Sequence, residues 1–332
     1  MMKCTLLVLM TSLACSSVIG AELKAPDVTI FGRLSTAFTK ATGSDIGLYD
    51  GADTGYGGSR LGFKGSEKIA EGRYVDFMVE TGFDTSEGGY TGGAEFGGRQ
   101  TYIGIRDETW GMARFGRQYK LAHIHEDTYA PIGTDYGDAG AYILSGYIAG
   151  GVRQNNAYAY FSTEISGFSI YYLSATKEDS SDAASDDKGN YKTPYSGMLN
   201  YKIGKFSASY TFTKNNTDGT HTINQMGALY DFNYFKVMGT YEIDNNQKGG
   251  KDSYAFGFKV PVNSWMLKLQ YGEDKNNGRI SKSTGLSVPT RRQIAFATEY
   301  NFTDRFQAYG AISQLKPYAG TMQYTLGLGY NF

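Results

Sequence analysis

Two histidines stand two residues apart, His123 and His125, followed at once by Glu126 and Asp127. Imidazoles and carboxylates are metal-ligand types, and alternate positions on a strand could chelate an ion. No third well-placed ligand accompanies them, so this run reads as solvated or pore-lining side chains and not as a metal centre. His221 stands alone. A hydrolase would need a serine paired with a histidine and an orienting residue, and no segment pairs Ser with His in that way. The run Gly55-Tyr56-Gly57-Gly58 is not followed by a helical pattern, so it is no phosphate cradle. Both cysteines, Cys4 and Cys15, lie in the first twenty residues. The rest of the chain therefore has no disulfide framework, cysteine-ligated zinc or thiol nucleophile. A formal charge of −1 argues against a nucleic-acid partner. No enzyme chemistry, cofactor or metal is expected.

What the chain offers instead is charge at alternate positions. In Thr29-Ile30-Phe31-Gly32-Arg33-Leu34, a strand would put Ile30, Gly32 and Leu34 on one face and Arg33 on the other. Leu61 and Phe63 oppose Arg60, Gly62 and Lys64. Val75, Phe77, Val79 and Phe83 oppose Tyr74, Asp76, Met78 and Glu80. The same period returns where Val237, Tyr241 and Ile243 interleave with Lys236, Thr240 and Glu242, and where Leu267 and Leu269 flank Lys268. Period two over so many segments is incompatible with helices, whose apolar positions recur at three and four. Ionised side chains on one row need water beside them, while the apolar row asks for hydrocarbon. The fold class expected is all-β, a closed antiparallel transmembrane barrel.

The elements that must hold these rows follow from the ends and the connections. The last stretch has Leu326, Leu328, Tyr330 and Phe332 on one face and Thr325, Gly327, Gly329 and Asn331 on the other. In lipid an edge strand has nothing to pair with, so this strand must close on the first. Residues 1–20 read as a cleaved leader, with Lys3, an apolar stretch from Leu6, and small residues before Ala21. Cys15 invites a lipoprotein reading, but Ser12 stands three residues before it where a leucine is expected. Residues 21–332 read as one barrel domain. Short connections such as Ser66–Gly72 and Asp107–Trp110 alternate with long polar ones such as Thr42–Gly58 and Lys177–Tyr191, as at the periplasmic and outer ends of such a barrel. Counting segments gives about sixteen strands, too wide for side chains to fill, so an aqueous channel remains.

The stretches Ile30-Phe31-Gly32-Arg33, Ser59-Arg60-Leu61-Gly62-Phe63-Lys64-Gly65, Gly98-Arg99-Gln100-Thr101-Tyr102-Ile103-Gly104 and Phe115-Gly116-Arg117-Gln118 together resemble the general, non-specific porins of Gram-negative outer membranes. The terminal Phe332 resembles the signal by which those membranes recognise barrels. The resemblance implies a homotrimer in the bacterial outer membrane, contacting lipid and lipopolysaccharide, that passes small hydrophilic solutes and ions by passive diffusion. It also implies a long third loop folded into the lumen, facing a basic strand wall across a constriction. Carried onto this chain, the loop is the segment from Lys120 to Gly151, with Glu126, Asp127, Asp135 and Asp138 as its acids. The basic wall would be Arg33, Arg60, Arg99, Arg117 and Arg153. Strand parity puts Arg33 and Arg60 inside, but points Arg99 and Arg117 outward unless a bulge or loop end intervenes. The loop departs from its better-known relatives, which carry Pro-Glu-Phe-Gly-Gly where this chain has Tyr129-Ala130-Pro131-Ile132-Gly133. Ion preference therefore stays open. So do two rival readings, a substrate-selective porin for a sugar or anion with an aromatic track (Tyr119, Tyr129, Tyr136, Tyr142, Tyr147) and a plugged, non-conducting adhesive barrel.

Overall fold

The computed structural model describes residues 27–51, 57–91, 95–132, 144, 152–176, 193–215, 221–245, 250–277, 290–316 and 321–332. The leader and the loop acids Asp135 and Asp138 lie outside them. The first half of the sheet comprises β1 (Asp27–Ala41), β2 (Gly47–Asp50), β3 (Arg60–Ala70), β4 (Arg73–Phe83), β5 (Tyr90–Thr91), β6 (Thr101–Asp107), β7 (Gly111–Tyr119), β8 (Arg153–Phe161) and β9 (Phe168–Ala175). The second comprises β10 (Tyr195–Ile203), β11 (Phe206–Asn215), β12 (His221–Asp231), β13 (Lys236–Asn245), β14 (Gly250–Val262), β15 (Trp265–Asn277), β16 (Arg291–Asn301), β17 (Phe306–Lys316) and β18 (Thr321–Asn331). Among the described residues a helix, α1 (Leu121–Tyr129), follows β7.

Every neighbouring pair is antiparallel, and β18 pairs back onto β1 from Arg33↔Asn331 to Ala41↔Gln323. The short β2 and β5 only prolong ladders, β2 above β3 along β1 and β5 above β6 along β4. Sixteen strands therefore form a closed wall. Closure satisfies each backbone N–H and C=O without water, the condition for backbone in hydrocarbon. At the seam Gly32 N–H donates to the Phe332 carbonyl (2.9 Å) and Phe332 N–H returns to Gly32 (3.1 Å). The alternation sorts as the sequence requires. Ile30, Ile103, Leu269, Phe296 and Leu326 are exposed on the outside, while Ser35, Thr211, Gln225, Thr240, Gln270 and Thr325 are buried on the inside. Short turns use residues that tolerate positive φ, with Asn233 at 72° and Asn263 at 52°.

The Phe332 ring lies over Gly32 so closely that a Cβ there would stand 2.3 Å from its Cζ and 2.6 Å from the Arg60 carbonyl oxygen. The terminal ring thus covers the backbone at the one joint not made by a hairpin. Gly32→Val should destabilise the barrel by about 1–3 kcal/mol, the usual cost of forcing extra methyls into a filled site. A semi-native gel tracking heat-induced unfolding checks this; an unchanged transition temperature would show that the seam does not depend on this contact.

Candidate pore constriction

The third outer loop does fold inward, and α1 shows how. The helix packs across the inner faces of β9 to β13. His125, fully buried, contacts Thr240 Oγ1 through Nε2 (2.8 Å) and Ser209 Oγ and Thr211 Oγ1 through Nδ1 (2.8 and 3.2 Å). Beside it the Gln225 amide donates to Glu126 Oε1 (3.1 Å) on the helix and to Glu242 Oε2 (3.0 Å) on the wall. Leu121 packs with Ala157, Ala159, Leu173 and Met198, and the Tyr129 ring covers Gly227. Farther along, Ile132 N–H donates to Gln270 Oε1 (2.9 Å), and its side chain enters a cluster with Ala37, Ala295, Ala297 and Tyr309. Ala130 and Leu144 pack on Ala255. The loop therefore lies against the wall from β9 round to β17 and β1. Among the described residues, no loop side chain joins a cluster on β3, β4 or β6.

That side of the wall carries the bases. Arg33 and Arg60 are directly opposite in register, where like charges repel. Arg60 Nη1 and Arg99 Nε both approach Glu80 Oε1, at 3.5 and 3.2 Å. Glu80 is nearly buried, so its carboxylate holds two guanidiniums together in a site of reduced dielectric. Arg99 Nη2 and Arg153 Nη2 each donate to Tyr119 Oη at 3.2 Å. The Arg153 guanidinium also stacks over the Tyr119 ring at 4.8 Å, and the His123 ring lies 4.6 Å from that ring. The chain Arg60–Glu80–Arg99–Tyr119–Arg153 thus lines one wall as a connected set. Arg33 extends it and donates from Nε to Asn331 Oδ1 (3.0 Å).

The placements resolve the parity question. Arg99 precedes β6, in a loop end where Arg99 N–H pairs with the Glu80 carbonyl (3.1 Å), and the turn aims its side chain inward. Arg117 lies within a register irregularity between Gly116 and Gln118, with Gly116 at φ 128°, a conformation that favours glycine. Its Nε donates to the Gly98 carbonyl (2.8 Å) and its Nη1 contacts Asn155, so it braces the loop base and not the Glu80 set. Glu126 is fully buried against Gln225, facing the wall. Asp127 is half-exposed and pairs with His123 Nε2 at 3.2 Å. The expectation of water-exposed histidines is corrected: both are buried, one as an anchor on the wall and one against the Tyr119 ring. Glu80 went unassigned in the sequence because one acid in an alternating row does not show which bases it meets. The role of His125 was equally invisible, since its partners lie 84 to 115 residues away.

A model of the Gram-negative porin family matches residues 4–316. The chain belongs to that family. Among its relatives, an outer membrane porin protein of Bordetella pertussis is 28% identical over 233 residues, 66% of this chain; the match spans 59% of the Bordetella protein's length. Outer membrane porin protein 32 of Delftia acidovorans is 26% identical over 323 residues, covering 92% of this chain and 88% of that one. The fold is similar to that of the anion-selective porin from Comamonas acidovorans, with a TM-score of 0.74 at 20% identity over 92% of this chain and all of that one. This porin is accordingly a β-barrel of the bacterial outer membrane, built round a pore.

Burial pushes the His125 imidazole down to about 3, so the docked loop holds it neutral. An undocked histidine titrates near 6.5, so the undocked state binds the extra proton between about pH 6.5 and 3. Docking should therefore weaken as pH falls through that window and be intact above it. Current fluctuations in planar bilayers should rise on acidification, and His125→Gln, which hydrogen-bonds without titrating there, should flatten that rise. A pH response unchanged in the variant would assign it to other groups.

Proposed function

We propose that this porin is a passive diffusion channel for small hydrophilic solutes and ions, that it prefers anions, and that it carries out no catalysis. The observation that carries the preference is the charge count along the basic wall. Four guanidiniums, those of Arg33, Arg60, Arg99 and Arg153, stand along it, and Arg60 and Arg99 share the single carboxylate of Glu80. Glu126 is turned away from them. A net positive wall in a narrow water-filled bore raises the local concentration of anions and lowers that of cations. Together with Asp127 it would also set a transverse field that favours polar over apolar solutes. The name of the Comamonas relative, an anion-selective porin, points the same way. Tyr119 supports this reading over an aromatic sugar track, because its ring is taken up by Arg153 and its hydroxyl by two guanidiniums.

Replacing Arg33 and Arg60 together by Ala should raise relative cation permeability, each lost charge being worth about twofold at ~10 Å in water. Reversal potentials across a salt gradient measure it, and unchanged values in the double variant would sink the assignment.

A homotrimer fits the outer surface. Interfacial tyrosines ring the outward rows of β8 to β16, for example Tyr158, Tyr172, Tyr210 and Tyr241. The outward rows of β1, β3, β4, β6 and β7 carry none, showing instead Ile30, Leu61, Ile103 and Ile105, and Tyr90 on the short β5 is the outward tyrosine of that sector among the described residues. A lipid-facing sector would need that girdle, and a sector covered by a second copy would not. A fluorophore at Ile103→Cys should be shielded from quenching by brominated lipid, and one at Leu199→Cys should not. Equal quenching would place lipid on both faces.

A further inference from the structure

The wall does not end its basic character at the constriction. Lys64 lies four residues beyond Arg60 on the same face of β3, about 13 Å nearer the short turn that marks the periplasmic end. Its side chain is exposed to the bore, with Nζ 5.2 Å from the Phe31 ring centroid. Arg114 on β7 sits opposite Gly104, which sits opposite Asp76 and so, through β4, opposite Ser66. In register Arg114 thus stands two residues beyond the position of Lys64, three strand spacings or roughly 14 Å round the wall. Its guanidinium is held between the Tyr102 and Phe161 rings, 4.7 Å from each, with Nε against Met112 Sδ at 3.2 Å.

Neither cation has a carboxylate within ion-pair distance among the described residues. The nearby acid, Asp76, is already engaged by Arg106 at 2.7 and 3.3 Å. Rings fix the orientation of a guanidinium without cancelling its charge, so Arg114 keeps its field and its planar donor edge for a solute. We propose that Lys64 and Arg114 form a second anion station in the periplasmic half of the bore, taking small inorganic and carboxylate anions after they leave the constriction. This inference rests on the anion-preferring reading above and adds a specificity-determining pair outside the constriction.

Its position makes the consequence one-sided. The field of a charge near the periplasmic mouth reaches about 30 Å in 0.01 M salt but only about 3 Å in 1 M salt. Selectivity should therefore be higher when the dilute bath is on the periplasmic side than when the same gradient is reversed. The experiment is reversal-potential measurement in both gradient orientations, with trimers inserted from one side of a planar bilayer. The wild-type anion-to-cation permeability ratio should differ between orientations. In Lys64→Gln/Arg114→Gln it should fall about twofold or more with the dilute bath periplasmic, as Coulomb's law gives for a lost charge at ~10 Å in water, and the two orientations should converge. Lys64→Gln alone, a change at a bore-exposed side chain, should give part of that loss even where the double variant assembles poorly, and Arg114→Lys should retain the sidedness. Sidedness that survives the loss of both charges, or its absence from an anion-preferring wild type, would overturn the second station. A wild type with no anion preference in either orientation would overturn the functional reading beneath it as well.

Discussion

Hydrocarbon offers no partner to a backbone amide, and the rest of this molecule follows from that. A sheet in the membrane must have no edge, so β18 has to find β1 across almost the whole length of the chain. Closing sixteen strands fixes the register of every pair, and the register decides which side chain faces lipid and which faces water. Nothing in the centre then needs to be packed for the fold to hold. Ionised and amide side chains occupy the inner rows because the width left by so many strands admits water.

The loop uses that interior for a different purpose. A helix entering a water-filled lumen has little apolar surface to gain from, and its contacts here are a mixture of one small hydrophobic cluster and a polar joint. His125 bonds Ser209, Thr211 and Thr240, and Gln225 bonds Glu126 and Glu242, so the joint spans the helix–wall boundary. Removing one partner of such a buried set leaves another without its bond, at roughly 1–3 kcal/mol, so the joint holds the loop in a single position. The described loop residues cover the wall from β8 to β13 and again at β14, β16, β17 and β1.

On the basic side of the wall, repulsion among arginines is managed by geometry. Glu80 bridges two of them, the Tyr119 hydroxyl accepts from two, and the Tyr119 ring face receives Arg153. Arg114 repeats the ring-based solution lower in the pore, between Tyr102 and Phe161. A guanidinium stacked on rings stays charged and stays in place.

Several features could be read from residue order alone. Alternation is a local property, so the barrel, the inward aim of Arg33 and Arg60, and the closing strand ending at Phe332 were all legible in short windows. Where local pattern was broken, the reading stopped. Arg99 and Arg117 sit at a loop end and a register shift, and only the paired strands show that the first turns to Glu80 while the second turns to Gly98 and Asn155. His125 and Glu126 looked like water-exposed loop because their partners belong to strands β11 to β13, far along the chain. Period two tells a side chain which side of the sheet it is on. Which residues it meets there depends on how far each strand is staggered and where the loop comes to rest, and those are set only when the whole sheet has closed.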